Sequence, residues 1–308
     1  MAHIEHRVTP ENRRSSPTAR QARSGLRWYR EVAIIGAFYG LYSMSRNLFG
    51  SNAVSPNLAL DNAERVIRAE RLLGSYFEPA LQQFFLEWGG GFLRIWNLFY
   101  GSLHFVVTAG VFIWLFRRHP DRYPRWRNAL GATTGLALVG FSLFPLMPPR
   151  LLAAGGPYGG RAAEHAGQFV DTLDRYPALW SFNSDTMQSV SNQYAAMPSL
   201  HVGWALWCLC ATFPLLRTRW SRGLYLLYVP ATVFTIVVTA NHYWIDALGG
   251  AAVLAVGHTV AGRIEAVKQL RRKSALSAMP ATATASAVPD PRRNPDPDPD
   301  NDAAALAH

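Results

Sequence analysis

The sequence predicts an all-α integral membrane protein, a polytopic bundle of six transmembrane helices with an additional amphipathic helix at the membrane interface. The first observation is a set of long runs without acidic or basic residues, such as 128–149. About 18 apolar residues are enough for a helix to cross a bilayer, and a soluble protein of this size rarely buries several such helices. The second observation is the net charge of +10, which is concentrated between these runs.

Six segments have the length and composition of a membrane span. The segment 57–88 differs from them, because its apolar and charged side chains are interleaved at helical spacing. This pattern is typical of an amphipathic helix that lies in the interface. The six predicted spans are 29–49, 91–116, 128–147, 199–216, 223–241 and 245–262.

The two ends of the chain differ in composition from the apolar middle. Residues 1–24 are polar and rich in arginine, and residues 274–308 are rich in alanine, threonine and proline and contain the run PDPDPDND. Neither end carries enough apolar surface to fold, so we expect two disordered cytoplasmic tails around a membrane-embedded domain at 25–273.

Positive charge predicts the orientation of the bundle. Segments that alternate along the chain are basic, and the segments between them hold slightly more acid than base, so the positive-inside rule puts both termini in the cytoplasm. This placement accounts for the net charge without nucleic-acid binding. The preference for arginine over lysine is typical of a GC-rich bacterial genome, which favours a bacterial plasma membrane. The basic segments are 1–30, 117–127, 217–222 and the residues after 263, and the others are 50–90 and 148–198.

Three polar clusters then fall at the outer ends of predicted spans. They are PLMPPR at 145–150, AAMPSLHVG at 195–203 and TANHYWIDALGG at 239–250. Ionisable residues at a membrane surface are costly unless they are paired or used in function. The coincidence of three such clusters on one side predicts an extracytoplasmic active site.

The residue types in these clusters suit phosphoryl transfer. His242 and Asp246 are four apart, so on a helix the carboxylate can fix the imidazole tautomer and leave the other ring nitrogen as a nucleophile. Ser199 and His201 lie at the predicted start of a span, where free backbone N–H groups favour a phosphate. Arg150 can bind a phosphate through two N–H groups. We therefore predict that one histidine attacks phosphorus and the other protonates the leaving oxygen.

These motifs carry a family resemblance. PSLH followed about 40 residues later by HxxxD resembles the type 2 phosphatidic acid phosphatase superfamily, and MPSLHVG, NHYWID and PPR are more similar to its inositolphosphotransferase branch, which includes inositol phosphorylceramide synthases. The resemblance covers roughly residues 30–262. It implies a six-helix domain, a lipid phosphate substrate, a polyol acceptor such as inositol, a phosphohistidine intermediate, and neither metal nor cofactor.

The resemblance also assigns roles to residues. It makes His242 the nucleophile supported by Asp246, His201 the general acid, and Ser199 and Arg150 the phosphate-binding residues.

Two cations that are usual in the superfamily are absent, because their positions hold Phe144 and Ile236. This departure favours the inositolphosphotransferase branch over a simple phosphatidate phosphatase. Arg46, near the outer end of the first span, is a candidate replacement cation, although an arginine there can also extend to the lipid headgroups.

Other polar residues have simpler interpretations. Glu70 and Glu78 flank the break after the interfacial helix and can bind a polyol, but a solvated or ion-paired face is the preferred interpretation. His104 and His258 are expected to form hydrogen bonds with neighbouring helices, because they lie too deep or too far along the chain to reach the site. A His/Asp pair at this spacing can also ligate a metal, but the sequence shows no second carboxylate cluster beside it.

Several functions remain open at the level of sequence. A phosphatase and a phosphotransferase differ only in whether water or an alcohol attacks the phosphohistidine. From other classes, the chain can be an inactive lipid transporter or binding protein that kept the fold, or a basic adaptor at the inner leaflet. The segments 50–90 and 151–197 are expected to form the headgroup pocket. The oligomeric state is not indicated.

Overall fold

The computed structural model describes residues 27–49, 53–152, 154, 158–160, 165, 167–177 and 192–277. Most of both predicted tails lies outside these residues. So does the side chain of Arg46, the predicted replacement cation, although its backbone is helical. The chain divides into two compact units, Met1–Arg263 and Ile264–His308. The site described below lies in the first unit.

The described residues are mainly α-helical and form no β-strand, which confirms the predicted all-α class. Their one isolated β-bridge joins Leu146 to Ala195. Short 3₁₀ turns lie at Pro149–Leu151 and Phe213–Leu215, and a π-helical turn lies at Phe99–Leu103. The α-helices are α1 Trp28–Phe49, α2 Pro56–Leu72, α3 Glu78–Leu86, α4 Gly90–Leu98, α5 His104–Arg118, α6 Tyr123–Leu143, α7 Thr172–Arg175, α8 Leu200–Thr212, α9 Arg219–Val238 and α10 Trp244–Ser277.

Five of the six predicted spans each overlap one of these helices, and the span 91–116 covers α4, the π-helical turn and α5. Within the described part of the chain, three stretches are long and apolar enough to cross a membrane: Gly90–Arg118, Arg219–Val238 and Trp244–Arg271. Leu200–Leu215 is a shorter apolar helix. The two remaining predicted spans correspond to α1 and α6, and the count of six membrane crossings stays a prediction.

The predicted amphipathic segment is divided between α2 and α3. Ser55 caps the start of α2, because its side chain accepts a hydrogen bond from the Asn57 backbone N–H. One face of α2 is buried, including Ala59, Ala63 and Ile67. The chain turns between the helices at Gly74, whose φ of 64° is a backbone conformation that glycine adopts without strain.

Backbone hydrogen bonds attach the segment that carries the first motif to other parts of the fold. The N–H groups of Leu146 and Met147 donate to the carbonyls of Tyr194 and Ala59 at 2.9 and 3.1 Å. The Arg150 N–H donates to the Ala240 carbonyl at 2.9 Å. The Arg150 bond joins the first motif to the third, and the bridge between Leu146 and Ala195 joins it to the second.

Close packing of α8 against α10 fixes the second motif relative to the third. The Ser199 N–H donates to the Asp246 carbonyl at 3.0 Å. Gly250 has no room for a side chain, since a Cβ there would lie 2.3 Å from the Ser199 carbonyl oxygen. Glycine at this position therefore lets the starts of the two helices approach.

In the second unit, the described residues 264–277 belong to α10. They include an ion pair between Lys268 and Glu265 with a separation of 3.6 Å. The helix extends beyond Lys273, where the membrane domain was predicted to end.

Candidate active site

His242 lies in the short turn between α9 and α10. Its Nδ1 is 2.7 Å from the Ala196 carbonyl oxygen and 3.2 Å from Asp246 Oδ2. Because a carbonyl oxygen only accepts, Nδ1 carries the proton, and the lone pair of the second ring nitrogen, Nε2, is available. Asp246 Oδ2 also accepts the Tyr243 N–H at 3.0 Å, so the carboxyl group is itself held in place.

The environment keeps His242 neutral. Its side chain is 4% exposed, and burial lowers its pKa to about 4, with the nearby positive charge of Arg150 adding to the decrease. A histidine with this pKa is unprotonated at neutral pH, as a nucleophile must be.

His201 is the second residue of α8, and its ring centroid is 5.7 Å from that of His242. Its Nε2 is 3.2 Å from the Tyr100 carbonyl oxygen. The ring also stacks on Tyr100, with centroids 4.2 Å apart and planes inclined by 17°. The structure thus brings the two predicted catalytic histidines together, with Tyr100 holding one of them.

The prediction that His104 is too deep to reach the site is wrong. Its ring centroid lies 4.0 Å from that of His201. The π-helical turn Phe99–Leu103 precedes His104, and π-turns change which side chains of a helix share a face. A sequence read with regular helical spacing cannot anticipate this change.

His258 forms a hydrogen bond with a neighbouring helix, as predicted. Its Nε2 is 2.8 Å from an Arg125 guanidinium nitrogen, and its ring packs against Trp126 at 4.9 Å.

Arg150 is buried, and its guanidinium group is held by three side chains. Nε donates to Asn241 at 3.0 Å, Nη1 to Asp171 at 2.9 Å and Nη2 to Gln193 at 2.6 Å. A guanidinium group has five N–H donors, so one remains on each terminal nitrogen. Arg150 therefore keeps N–H donors beyond those that hold it, and its role in binding a phosphate stays a prediction.

A cavity of about 70 Å³ joins Arg150 to His242. Its volume accommodates several water molecules and therefore a group the size of a phosphate. Of the described residues, neither His201 nor Ser199 lines it. The lining residues are Tyr100, Pro148, Arg150, Asn192, Gln193, Ala195, Ala196, Asn241 and His242.

Ser199 immediately precedes α8 and is completely buried. Its Oγ has no hydrogen-bond partner among the described residues, although serine often caps a helix at this position. Leaving a buried hydroxyl unpaired costs about 1–3 kcal/mol. The predicted phosphate-binding role of Ser199 stays a prediction, because the hydroxyl lies outside the cavity lining.

The structure contradicts the solvated interpretation of Glu70 and Glu78. Both are fully buried, and each accepts a backbone N–H from the first turn of α10. The His242–Asp246 pair therefore has neighbouring carboxyl groups that the sequence did not reveal. Within the described part of the chain, no group of His, Cys, Asp and Glu has the arrangement of a metal site.

Sequence reasoning missed most of the polar wall of the cavity. Asn241 was detectable, because it directly precedes His242 in the third motif. Asn192 and Gln193 lie in the long segment before α8 and belong to no motif. The same is true of Asp171, which does not line the cavity but holds Arg150. Tyr100 is one of several aromatic residues in its helix, and nothing in the pattern distinguishes it.

The two positions that lack the expected cations hold apolar core residues. Ile236 is fully buried and packs with Val202 and Ala247, and Phe144 packs against the buried residues around Met147. Arg150 is therefore the only predicted cation that the described part of the structure places at the cavity.

The model of a family described as the PAP2 superfamily matches residues 64–260, which include the cavity and both histidines. The chain matches no curated protein and no solved structure.

Proposed function

The chain belongs to the PAP2 superfamily, whose members are typically phosphatases or phosphotransferases, and on this premise we propose that it transfers a phosphoryl group from a lipid-linked phosphate through a phosphohistidine on His242. The observation that carries the proposal is the state of His242. Its Nδ1 proton is held by two acceptors, its other nitrogen is unprotonated, and the same cavity contains Arg150.

The reaction has two displacements. His242 Nε2 attacks phosphorus, the bond from phosphorus to the leaving oxygen breaks, and His201 gives that oxygen a proton. A water or alcohol then attacks the phosphohistidine and loses its proton to His201, and the phosphorus–nitrogen bond breaks. Arg150 and Ser199 stabilise the negative charge on the phosphoryl oxygens.

A polyol acceptor such as inositol is the finer part of the proposal. Three observations support it over hydrolysis: the PPR, MPSLHVG and NHYWID strings, the apolar residues at 144 and 236, and the amide side chains of Asn192, Gln193 and Asn241 around the cavity. Amides both donate and accept hydrogen bonds, as does each hydroxyl of a polyol.

The proposed location is the extracytoplasmic end of a six-span bundle in a bacterial plasma membrane, with both termini in the cytoplasm. The arginine-rich segments support this orientation. Labelling of single cysteines with an impermeant reagent tests it, since a cysteine introduced near Asp171 should react from outside in intact cells.

The test of the chemistry uses the purified protein with a panel of radiolabelled lipid phosphates, with and without inositol. Transfer gives a phosphodiester or phosphorylated polyol, whereas hydrolysis gives free phosphate. We expect His242→Ala and His201→Ala to abolish turnover, and His242→Ala to lose an acid-labile phosphohistidine as well. His258→Ala is the matched control, because it removes a histidine away from the cavity.

The outcomes separate the open functions. Normal activity of the folded His242→Ala variant removes the assigned nucleophile. Wild-type protein that binds the lipids but releases or transfers no phosphate is a carrier. A function that disappears when only residues 1–24 and 278–308 are deleted points to the adaptor.

A further inference from the structure

Three carboxyl groups converge on the start of α10, the helix that follows His242. Asp246 accepts the Tyr243 N–H at 3.0 Å, Glu78 Oε1 accepts the Trp244 N–H at 3.1 Å, and Glu70 Oε1 accepts the Ile245 N–H at 3.3 Å. All three carboxyl side chains are fully buried. Each of the three consecutive N–H groups at the helix start thus has its own carboxyl acceptor.

Two of these acceptors come from distant parts of the chain. The first N–H groups of a helix have no partner within the helix, and a local side chain usually satisfies them. Asp246 does so here, in the manner of a capping box. Glu78 and Glu70 are separated in sequence from their partners by 166 and 175 residues. They therefore attach α2 and α3 to the start of α10.

Three buried carboxylates cannot all be charged at one helix terminus. The positive end of the helix dipole stabilises a negative charge, but burial of each unpaired carboxylate costs several kcal/mol. Glu70 Oε2 and Glu78 Oε2 are both buried without a donor among the described residues. The two side chains are within hydrogen-bonding reach of each other, so one proton between them provides a hydrogen bond and removes one charge.

We propose that Glu70 and Glu78 form a carboxylic acid–carboxylate pair that shares one proton and fixes the start of α10, and that they thereby position His242 for attack on phosphorus. This role rests on the proposed function of His242. The two glutamates touch neither the cavity nor the reacting atoms, so they are positioning residues.

The charges around Glu70 agree with this arrangement. Burial, and then the charge of Glu78, raise the pKa of Glu70 to about 9, so Glu70 carries the proton at neutral pH. The backbone N–H of Ile245 opposes this increase only partly. The titratable and charged groups around the pair are Asp246 on α10, Tyr243 before α10, Tyr76 between α2 and α3, and Arg71 on α2, whose guanidinium lies over the Tyr76 ring.

The connection to the nucleophile is short. Asp246 Oδ2 accepts both the Tyr243 N–H and the His242 Nδ1–H, so the orientation of the imidazole depends on where α10 begins. When Glu70 loses its proton, two adjacent buried anions repel each other, and the acceptors of Trp244 and Ile245 separate. A displacement of about 1 Å at a reacting group costs up to about 100-fold in rate.

The experiment compares Glu70→Ala, Glu70→Gln and the matched control Asp61→Asn, which removes an exposed carboxylate from the same helix. We expect Glu70→Ala to lower kcat about 30- to 100-fold with KM within about threefold. Glutamine keeps an acceptor for the Ile245 N–H and donates to Glu78, so Glu70→Gln should restore kcat to within about threefold of wild type. Its kcat should also persist at alkaline pH, whereas that of wild type and Asp61→Asn falls as pH rises through about 9.

Thermal unfolding gives a readout that does not depend on activity. A carboxyl group whose pKa is raised on folding contributes stability below its unfolded pKa, and the contribution is lost as pH rises through the folded pKa. With the pKa of Glu70 at about 9, wild type should lose stability relative to Glu70→Gln between pH 6 and 9.5. The difference in stability between wild type and Glu70→Gln still tests the Glu70–Glu78 pair if the wild-type protein turns over no lipid phosphate. That outcome overturns only the proposed function.

Three results overturn the proposal. The first is wild-type kcat in Glu70→Ala. The second is a folded Glu70→Gln variant as slow as Glu70→Ala. The third is that wild type and Glu70→Gln show the same fall of kcat at alkaline pH and the same pH dependence of thermal unfolding. If Glu70→Ala does not fold, the comparison of wild type with Glu70→Gln decides alone.

Discussion

The contact between α8 and α10 allows one substitution to be worked out in detail. Replacing Gly250 with alanine puts a methyl group 2.3 Å from the Ser199 carbonyl oxygen and 3.1 Å from the Gly203 nitrogen. Ordinary contacts of a Cβ begin at 3.4 Å, so Ser199 and the helix start behind it must move by about 1 Å. Both of these neighbours are backbone atoms, which cannot rotate away as a side chain can.

The energetic and kinetic effects follow from this displacement. Forcing a methyl group into packed structure costs about 1–3 kcal/mol, and the helix propensity of alanine offsets about 1 kcal/mol of that. We therefore expect a loss of stability of up to about 2 kcal/mol. The effect on rate is larger, because His201 is two residues beyond Ser199, and a shift of about 1 Å at a catalytic group costs up to about 100-fold.

The assay is kcat for phosphoryl transfer from the best lipid phosphate, measured with the unfolding midpoint of the same sample. Gly135→Ala is the matched control, since it lies within α6 and a Cβ there meets nothing within 4 Å. The control should keep its activity and gain up to about 1 kcal/mol of stability from helix propensity. Wild-type kcat and stability in Gly250→Ala would refute the close approach of the two helices, and equal losses in both variants would refute its assignment to the Ser199 contact.

Two further predictions concern the cavity. Arg150→Lys keeps the charge but loses the planar guanidinium group that Asp171, Gln193 and Asn241 hold. We expect kcat/KM to fall about 10- to 100-fold while the protein remains folded. An unchanged kcat/KM would show that the phosphate does not need two parallel N–H groups. Since the pKa of His242 is lowered to about 4, protonation should inactivate the free enzyme only below that pH, and kcat/KM should rise through pH 4 and then stay level until the alkaline fall near pH 9. An acidic limb near pH 6.5, the ordinary value for histidine, would contradict the buried neutral state.

The centre of the site was predictable because its signals are local. His242 and Asp246 are four residues apart, and that spacing predicted their hydrogen bond through a shared helix face. The bond is present at 3.2 Å, but His242 lies in the turn before α10 and the bond crosses the start of the helix. Ser199 and His201 follow a proline at the start of an apolar run, which predicted a helix start, and α8 begins at Leu200. The predicted order of apolar segments likewise matches the order of the long helices.

The supporting residues were not predictable, because their roles depend on contacts across the fold. Asp171 and Gln193 hold Arg150 over sequence separations of 21 and 43 residues. No periodic pattern marks either of them. His104 was misjudged for a different reason, since the prediction relied on its depth in the predicted span, whereas its ring packs against that of His201 just after a π-helical turn.

Glu70 and Glu78 show why residue type alone gives the wrong prediction of burial near this active site. Glutamate is almost never fully buried unless it is paired, so a glutamate between arginines on an amphipathic helix is expected to face solvent. Here the partners are backbone N–H groups, which every residue except proline carries and which no sequence motif can mark. The burial that hides these glutamates from sequence analysis also encloses the cavity, where it keeps His242 neutral and strengthens the field of Arg150. The features that sequence could not reveal are therefore those on which the reactivity of the predicted residues depends.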